Sequence, residues 1–85
     1  MTPVSGQPPL TLYGTSACHL CELAEEILTG LIAAGRAPAF EKVDISDDDA
    51  LFERYGELIP VLRDGQGREL GWPFDAAAVV GWLPG

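Results

Sequence analysis

The chain has 85 residues, a length that predicts one domain with a small hydrophobic core. Hydrophobic residues make up 47% of the chain, so it can bury a core and is not a disordered segment. Thirteen acidic against five basic residues give a formal net charge of −8, which argues against binding to nucleic acid or to an anionic membrane surface and favours a simple role in solubility.

The first nine residues lack the features of a targeting segment. They contain neither a basic region nor an apolar stretch, so residues 1–9 are predicted to form a flexible N-terminal tail and not a secretory signal. No apolar run approaches the length of a membrane span. We therefore expect a cytoplasmic protein in which residues 10–85 form a single domain. In that compartment a pair of cysteines is more often catalytic, redox-active or metal-binding than a permanent disulfide.

The first predicted strand and helix lie on either side of a short loop. Leu10–Tyr13 is a β-type run that ends at Gly14. Ser16 or a neighbouring residue is expected to cap the helix that follows, and Gly35 to end it. The helical repeat places apolar residues on one side and glutamates on the other: Leu20, Leu23, Ala24, Ile27, Leu28 and Leu31 against Glu22, Glu25 and Glu26.

A second strand and a short second helix come next. Residues 39–45 alternate imperfectly between apolar and polar side chains, which suits a strand. Ser46 is expected to cap a helix near Asp48–Tyr55, with Asp49 in the place of the glutamate of a capping box. This helix should stop at Gly56.

A hairpin and a third helix complete the predicted order. Ile59–Arg63 is typical of a strand, and Asp64–Gly67 is a strong turn signal that returns the chain as Arg68–Leu70. Asp75 is expected to cap a last helix over Ala76–Leu83.

The element order is therefore β-α-β-α-β-β-α. Two strands joined through a helix are expected to run parallel, whereas the last two strands form an antiparallel hairpin. The predicted fold class is α/β, with a mixed four-stranded sheet flanked by helices on both faces.

Cys18 and Cys21 are the only cysteines in the chain. Because they lie three residues apart at the start of a helix, they share nearly one face and are close enough for a disulfide. A helix N-terminus stabilises a thiolate, which lowers a thiol pKa from its free value of about 8.5. We predict that Cys18, at the helix tip, is the catalytic nucleophile, and that Cys21, one turn further, is the shielded resolving thiol.

His19 stands between the two cysteines. A protonated imidazole there would add positive charge beside the thiolates and tune their pKa downward. The alternative is a solvated side chain in the first helical turn with no such role.

Pro60 stands after a loop, near the start of the third strand. The Ile59–Pro60 peptide bond is either cis, or trans at the limit of an edge strand. Only about 5–6% of such bonds are cis, so this segment taken alone favours the trans form.

Together these features resemble the glutaredoxin branch of the thioredoxin superfamily, and in particular the compact bacterial glutaredoxin-like proteins with a Cys-His-Leu-Cys motif. The matching segments are Leu12–Gly14 leading into Cys18–Cys21, then Ile59–Val61, then the turn at Gly71. The match covers residues 10–83. It implies a thioredoxin-like fold and thiol–disulfide exchange with thiol or disulfide substrates, protein or small molecule, often with glutathione as co-substrate.

The resemblance also implies which residues meet the substrate. It implies a cis Pro60 facing the cysteine pair, with the backbone of Ile59 pairing with the backbone of a bound thiol substrate. Thr15 occupies the position where glutaredoxins commonly place a lysine or arginine for one glutathione carboxylate. Trp72 replaces the second of two glycines before the last helix, and Asp75 lies at the helix start that meets the other carboxylate.

These departures argue for disulfide exchange without glutathione specificity. Thr15 carries no charge, and Asp75 would repel an anion. Arg54 in the second helix is the one basic residue considered as a replacement, although a solvated helix charge is its simpler role. Glutathione is itself negatively charged and would meet an acidic protein.

The aromatic residues near the end of the chain have two interpretations. Trp72 and Phe74 either border the cysteine site or, as we favour, pack over the end of the sheet. Trp82 is expected to lie in the core.

Two other function classes stay open. A metal or iron–sulfur site would have to be shared between chains, because two thiolates do not complete the ligand set of a closed site. A non-catalytic thioredoxin-fold adaptor would keep the cysteines as vestigial or structural residues. We expect a monomer with no resident cofactor and no metal.

Overall fold

The elements of the computed structural model follow the order predicted from the sequence. The structure describes residues 8–83; residues 1–7, which make up most of the predicted tail, and residues 84–85 lie outside the described part. The elements are β1 (Leu10–Gly14), α1 (His19–Ala33), β2 (Phe40–Asp44), α2 (Asp49–Tyr55), β3 (Val61–Arg63), β4 (Glu69–Gly71) and α3 (Ala76–Trp82).

The four strands form one mixed sheet in the order β2-β1-β3-β4. β1 runs parallel to β2, from the pair Leu10–Phe40 to the pair Gly14–Asp44. β3 is antiparallel to both β1 and β4. β3 begins at Val61 and not at the predicted Ile59, because Pro60 has no N–H to donate to a ladder.

The sheet is covered by helices on both faces, as predicted. α1 and α3 pack on one face around a core of buried residues, which are Leu10, Leu12, Ala24, Leu28, Leu31, Ala37, Leu62, Phe74 and Val79. On the other face, Tyr55 of α2 packs with Tyr13, Ile45 and Val61. The alternation along β1 explains the division, since Leu12 and Tyr13 point to opposite faces.

The N-cap of α2 differs from the prediction, and for α1, where Ser16 or a neighbouring residue was expected, the cap lies two residues after Ser16. Cys18, and not Ser16, caps α1, because its backbone is extended and its own sulfur accepts the Cys21 N–H. Asp48, and not Ser46, caps α2 through a hydrogen bond from the Leu51 N–H at 3.1 Å. The physical reason is a 3₁₀ turn over Ile45–Asp47, which holds Ser46 before the helix begins.

Asp44 caps that 3₁₀ turn. Its carboxylate accepts hydrogen bonds from both the hydroxyl and the backbone N–H of Ser46. The hydroxyl bond, followed by the backbone bond, holds the pKa of Asp44 below its ordinary value.

The other predicted helix ends are confirmed. Asp75 caps α3 by accepting the Ala78 N–H at 2.8 Å. Gly56 follows α2, and Gly35, just after the end of α1, has a φ of +71°, a conformation that favours glycine.

Trp82 differs from its predicted place in the core. It is half-buried, packs against the edge of the core and lies under the Arg68 guanidinium, 5.7 Å from the ring centre. No helix within residues 8–83 is long and apolar enough to cross a membrane.

Candidate active site

The cysteine pair lies between the end of β1 and the first turn of α1. Cys18 is the extended N-cap residue and Cys21 lies in the first turn. The two are joined by a disulfide with their Cα atoms 5.2 Å apart. The three-residue spacing therefore places both sulfurs at the helix N-terminus, as the sequence predicted.

The two sulfurs have different surroundings. Cys18 is half-buried, whereas Cys21 is only 4% exposed. The Cys18 sulfur accepts the Cys21 N–H at 3.1 Å, so one of the unpaired amides of the helix start already points at it. Gly14 packs against Cys21: a Cβ added to Gly14 would lie 2.8 Å from the Cys21 sulfur. Cys18 is therefore the more accessible of the two cysteines, and Cys21 is the buried one.

His19 is a surface residue. Its Nδ1 lies 3.5 Å from a carboxylate oxygen of Glu22, and the two side chains are 79% and 67% exposed. If the imidazole is protonated, Glu22 offsets part of the positive charge that it adds beside the cysteines.

An open groove begins at Leu20, one of the two residues between the cysteines. We call it the Leu20 groove; it has a volume of about 390 Å³ and is lined by Leu20, Glu57, Leu58, Ile59, Glu69 and Trp72, among others. Two residues predicted to meet a substrate, Ile59 and Trp72, are therefore brought together with Leu20, which lies between the two cysteines in sequence.

Pro60 lies behind this groove. It is fully buried, and the Ile59–Pro60 peptide bond is cis, as the family resemblance implied. The Pro60 carbonyl accepts the Trp72 N–H at 3.2 Å, which ties the end of β4 to the start of β3. The Ile59 N–H donates to the Tyr55 carbonyl at 3.1 Å, so this donor is already used within the chain.

Thr15 does not line the Leu20 groove. It lies in a separate cleft of about 330 Å³, together with Cys21, Glu22, Glu25, Lys42 and Asp44. Lys42 is the basic residue of that cleft, and its ammonium lies 3.1 Å from Glu25. The structure therefore separates Thr15 from Ile59 and Trp72.

Asp75 lines neither depression. It is exposed at the start of α3, where its carboxylate is occupied by the cap. Trp72 both packs and borders the site: its ring meets Phe74 edge-on at 5.0 Å and also lines the groove, while Phe74 is buried.

Sequence reasoning missed the contribution of α2 and β4 to the groove. Leu58 and Glu57 follow α2, and Glu69 begins β4. Their only signal in the sequence was the apolar Leu58 next to Ile59 in the loop after α2. That these residues meet Leu20 depends on the tertiary fold.

Arg54 interacts with two residues that line the Leu20 groove, Glu69 and Tyr55. Its guanidinium lies 3.8 Å from Glu69 and 5.2 Å from the centre of the Tyr55 ring. The Tyr55 hydroxyl donates to Glu69, and its ring stacks on Tyr13 at 4.4 Å. Burial, followed by the hydrogen bond to Glu69, raises the pKa of Tyr55.

Metal ligands are sparse around the site. Within residues 8–83, no group of three or more histidine, cysteine, aspartate or glutamate side chains is arranged to hold a metal ion. In the described part of one chain, the cysteines therefore form a two-sulfur site.

Comparisons with known proteins agree with this fold. The X-ray structure of protein XcR50 from X. campestris is 52% identical, with 86% of this chain and 92% of that chain covered and a TM-score of 0.78. The solution NMR structure of protein Ne2328 from Nitrosomonas europaea is 26% identical, with 99% and 100% covered and a TM-score of 0.79. No protein of curated function matches the chain.

The family assignment rests on nearly the whole chain. A family model described as "Glutaredoxin-like domain (DUF836)" matches residues 9–84. That span includes the whole sheet, the three helices and the cysteine pair. The chain therefore belongs to the glutaredoxin-like domain (DUF836) family and has a thioredoxin-like α/β fold.

Proposed function

We propose that this protein is a thiol–disulfide oxidoreductase in which Cys18 and Cys21 alternate between dithiol and disulfide. The observation that supports this most directly is the position of the pair: both sulfurs lie at the N-terminus of the 15-residue helix α1, and one accepts a helix N–H at 3.1 Å. Helix N-termini favour the thiolate, which is the reactive form of cysteine.

The unequal exposure of the two cysteines supports the following order of reaction. The Cys18 thiolate attacks one sulfur of a substrate disulfide, a Cys18–substrate disulfide forms, and the other substrate half leaves as a thiolate that takes up a proton. Cys21 then loses its proton and attacks the Cys18 sulfur. The Cys18–Cys21 disulfide forms and the second substrate thiolate leaves. Two electrons pass from the protein to the substrate, and the reverse sequence oxidises a dithiol.

Glutathione is a poor fit as the specific co-substrate in this proposal. Thr15 is uncharged and lies in a cleft with three carboxylates, and Asp75 places a negative charge at the start of α3. Lys42 in the Thr15 cleft is paired with Glu25, and Arg54 beside the Leu20 groove is paired with Glu69. We propose other thiols or disulfides, in proteins or small molecules, as substrates.

Reduction potential and single-turnover exchange test the proposal. We expect a Cys18–Cys21 reduction potential above about −300 mV. Structural disulfides typically have potentials below about −300 mV, whereas catalytic ones have higher potentials. The reduced protein should reduce a neutral small disulfide such as hydroxyethyl disulfide faster than an equal concentration of free dithiothreitol at pH 7.

The two cysteine variants serve as controls for the order of reaction. Cys18→Ser should abolish exchange, whereas Cys21→Ser should react once and accumulate a mixed disulfide on Cys18, visible by mass spectrometry. Trapping on Cys21 in a Cys18→Ser protein would contradict the assigned order. A potential below about −300 mV without exchange would favour the adaptor hypothesis. Cluster absorbance or bound metal in protein purified without oxygen would favour a shared metal site.

Two substitutions, one at His19 and one at the neighbouring Glu22, test whether His19 tunes the thiol pKa. His19→Ala should raise the thiol pKa of Cys18, because it removes an imidazole whose protonated form stabilises the thiolate. Glu22→Gln should lower that pKa, because it removes a negative charge from the first turn of α1, where the thiolate forms. Titration of the Cys18 thiolate by its ultraviolet absorbance measures both. An unchanged pKa in His19→Ala would remove the tuning role.

A further inference from the structure

The Leu20 groove exposes large apolar side chains beside the dithiol. Leu20 is 42% exposed and Leu58 is 58% exposed, and both line this groove with Trp72. Phe52, at 56% exposed, is similarly accessible on α2 but does not line it. Clustered exposed apolar residues next to a reactive site are typical of a surface that contacts a partner.

The charges of the groove have one sign. Glu57 and Glu69 both line it, and no lysine, arginine or histidine of residues 8–83 does so. Glu69 already accepts the Tyr55 hydroxyl and faces Arg54, whereas Glu57 is exposed. The whole chain carries a net charge of −8. An occupant of the groove therefore gains from a positive charge and loses from a negative one.

Glutathione matches neither the exposed apolar side chains nor the negative charge of the groove. Glutathione has carboxylates at both ends and no large apolar side chain. An extended protein segment supplies both an apolar side chain for Leu20 and Leu58 and a basic one for Glu57. Neither cysteine lines the groove, but Leu20 does, and Leu20 lies between Cys18 and Cys21 in the first turn of α1. A segment that contacts Leu20 is therefore within two residues, along the chain, of Cys18.

From this geometry we infer that the substrate is a protein disulfide in an extended segment whose cysteine is flanked by one apolar and one basic residue. The inference rests on the proposed disulfide exchange and adds the chemistry of the substrate. The basic side chain faces Glu57, and the apolar side chain packs between Leu20 and Leu58.

Short peptides test the inference directly. Three capped five-residue peptides would carry a central cysteine flanked by leucine and lysine, by leucine and glutamate, or by two serines. Each cysteine is prepared as a mixed disulfide with 2-thiopyridine, so that attack by Cys18 on the peptide sulfur releases pyridine-2-thione, which absorbs in the near ultraviolet. Cys21 then displaces the peptide thiol, and the electrons come from the pre-reduced protein. Rates are divided by those with free dithiothreitol, which corrects for intrinsic reactivity.

We expect the leucine–lysine peptide to react about three- to fivefold faster than the leucine–glutamate peptide at low ionic strength. We also expect it to react faster than the serine peptide, and the charge preference should shrink in salt. Glu57→Gln should remove most of the preference for lysine, and Leu58→Ser most of the preference for leucine. Glu53→Gln and Phe52→Ser are matched controls, because both residues are exposed on α2 outside the groove, and should change neither preference.

The outcomes separate this inference from the function on which it rests. Equal corrected rates for the three peptides, with Cys18→Ser inactive, would overturn the substrate chemistry while leaving disulfide exchange in place. A preference for glutamate, or a preference unaffected by Glu57→Gln and Leu58→Ser, would do the same. If no peptide reacts faster than with dithiothreitol, the proposed function fails and the inference fails with it.

Discussion

Gly14 lies against the inner sulfur of the site. A Cβ at this position would lie 2.8 Å from the Cys21 sulfur and 3.2 Å from its Cβ, closer than unstrained contacts allow. The buried Cys21 cannot retreat, because it is held in the first turn of α1. The absence of a side chain at the end of β1 therefore lets the helix start, and with it the cysteine pair, approach the sheet closely.

Gly14→Ala should therefore destabilise the protein by about 1–3 kcal/mol in urea unfolding of the reduced form. In a Cys21→Ala background the same change should cost less, because the clashing sulfur is gone. Gly30→Ala is the control: nothing lies within 4 Å of a Cβ there, so the alanine should stabilise α1 by about 0.5–1 kcal/mol. Equal costs of Gly14→Ala in the two backgrounds would show that its contact with the sulfur is not the cause.

At the scale of the elements, side-chain caps decide where the helices begin. Asp48 and Asp75 accept N–H groups of α2 and α3, and Cys18 does so with its sulfur in α1. α2 and α3 have seven residues each, so their N-terminal amides are a large share of their backbone groups. Glu57 and Leu58, which follow α2, line the groove.

Asp48→Ala should lower the free energy of unfolding by about 1 kcal/mol, the usual cost of losing an N-cap. Ser46→Ala should cost less, because Ser46 lies in the 3₁₀ turn and caps no helix N–H of α2. Thermal or urea unfolding followed by circular dichroism measures both changes. A larger loss with Ser46→Ala would restore the capping box predicted from the sequence.

The hairpin of β3 and β4 is held by one buried carboxylate. Asp64 accepts the N–H groups of Gln66 and Arg68 at 2.9 Å each and the Arg68 Nε–H at 2.7 Å. Arg68 also donates to the Trp82 carbonyl at 2.9 Å, which links the hairpin to the end of α3. Burial alone would raise the pKa of Asp64, but the hydrogen bonds from Arg68 and Gln66 outweigh it and leave the pKa below its usual value.

The lowered pKa of Asp64 sets the pH range in which it stabilises the fold. As pH falls through the usual value of 3.8, Asp64 takes up a proton in the unfolded chain before it does so in the folded one. The contribution of Asp64 is therefore complete from about pH 5 upward and is lost as pH falls through the lower folded-state pKa. Asp64→Ala should cost about 1–3 kcal/mol at pH 7. Urea unfolding at several pH values should show this difference shrinking below about pH 4. A difference that grows in acid would contradict the assignment.

At the scale of the molecule, the pairing of the strands brings the residues of the site to one end of the sheet. Tyr13 near the end of β1 pairs with Val61 at the start of β3, and Val61 pairs with Gly71 at the end of β4. The antiparallel register therefore brings the cysteine loop, Ile59 and Trp72 to one end of the sheet. Thr15 follows Gly14, whose partner on the opposite side is Asp44 of β2. That pairing explains why Thr15 faces a different cleft.

The net charge of the whole molecule should show in its choice of small disulfides. Oxidised glutathione is anionic and this chain carries −8, so their encounter is repulsive at low salt. We expect the exchange rate with oxidised glutathione to rise about two- to fivefold when ionic strength increases from ~10 mM to ~0.5 M. The rate with neutral hydroxyethyl disulfide should stay constant under the same conditions. A glutathione rate that falls with salt would reveal a local cationic site.

Much of this protein follows from local sequence. The order of strands and helices, the hairpin turn and the Asp75 cap depend on periodicity and on residues within a few positions of each other. The disulfide spacing of Cys18 and Cys21 is likewise local, since three residues at a helix start bring two side chains together. The prediction that Ser46 caps α2 was wrong. Asp44, Ser46 and Asp48 lie within five residues and can all act as N-caps, and the sequence pattern alone does not show which of them caps the helix.

The groove was decided only by the tertiary structure. Leu20, Leu58 and Trp72 are far apart in the chain and meet because antiparallel pairing of β1, β3 and β4 sets their ends side by side. The separation of Thr15 from Ile59 has the same origin. Sequence therefore determined the cysteine pair and the elements that carry it. Which side chains stand around that pair depended on long-range strand pairing, which no local pattern encodes.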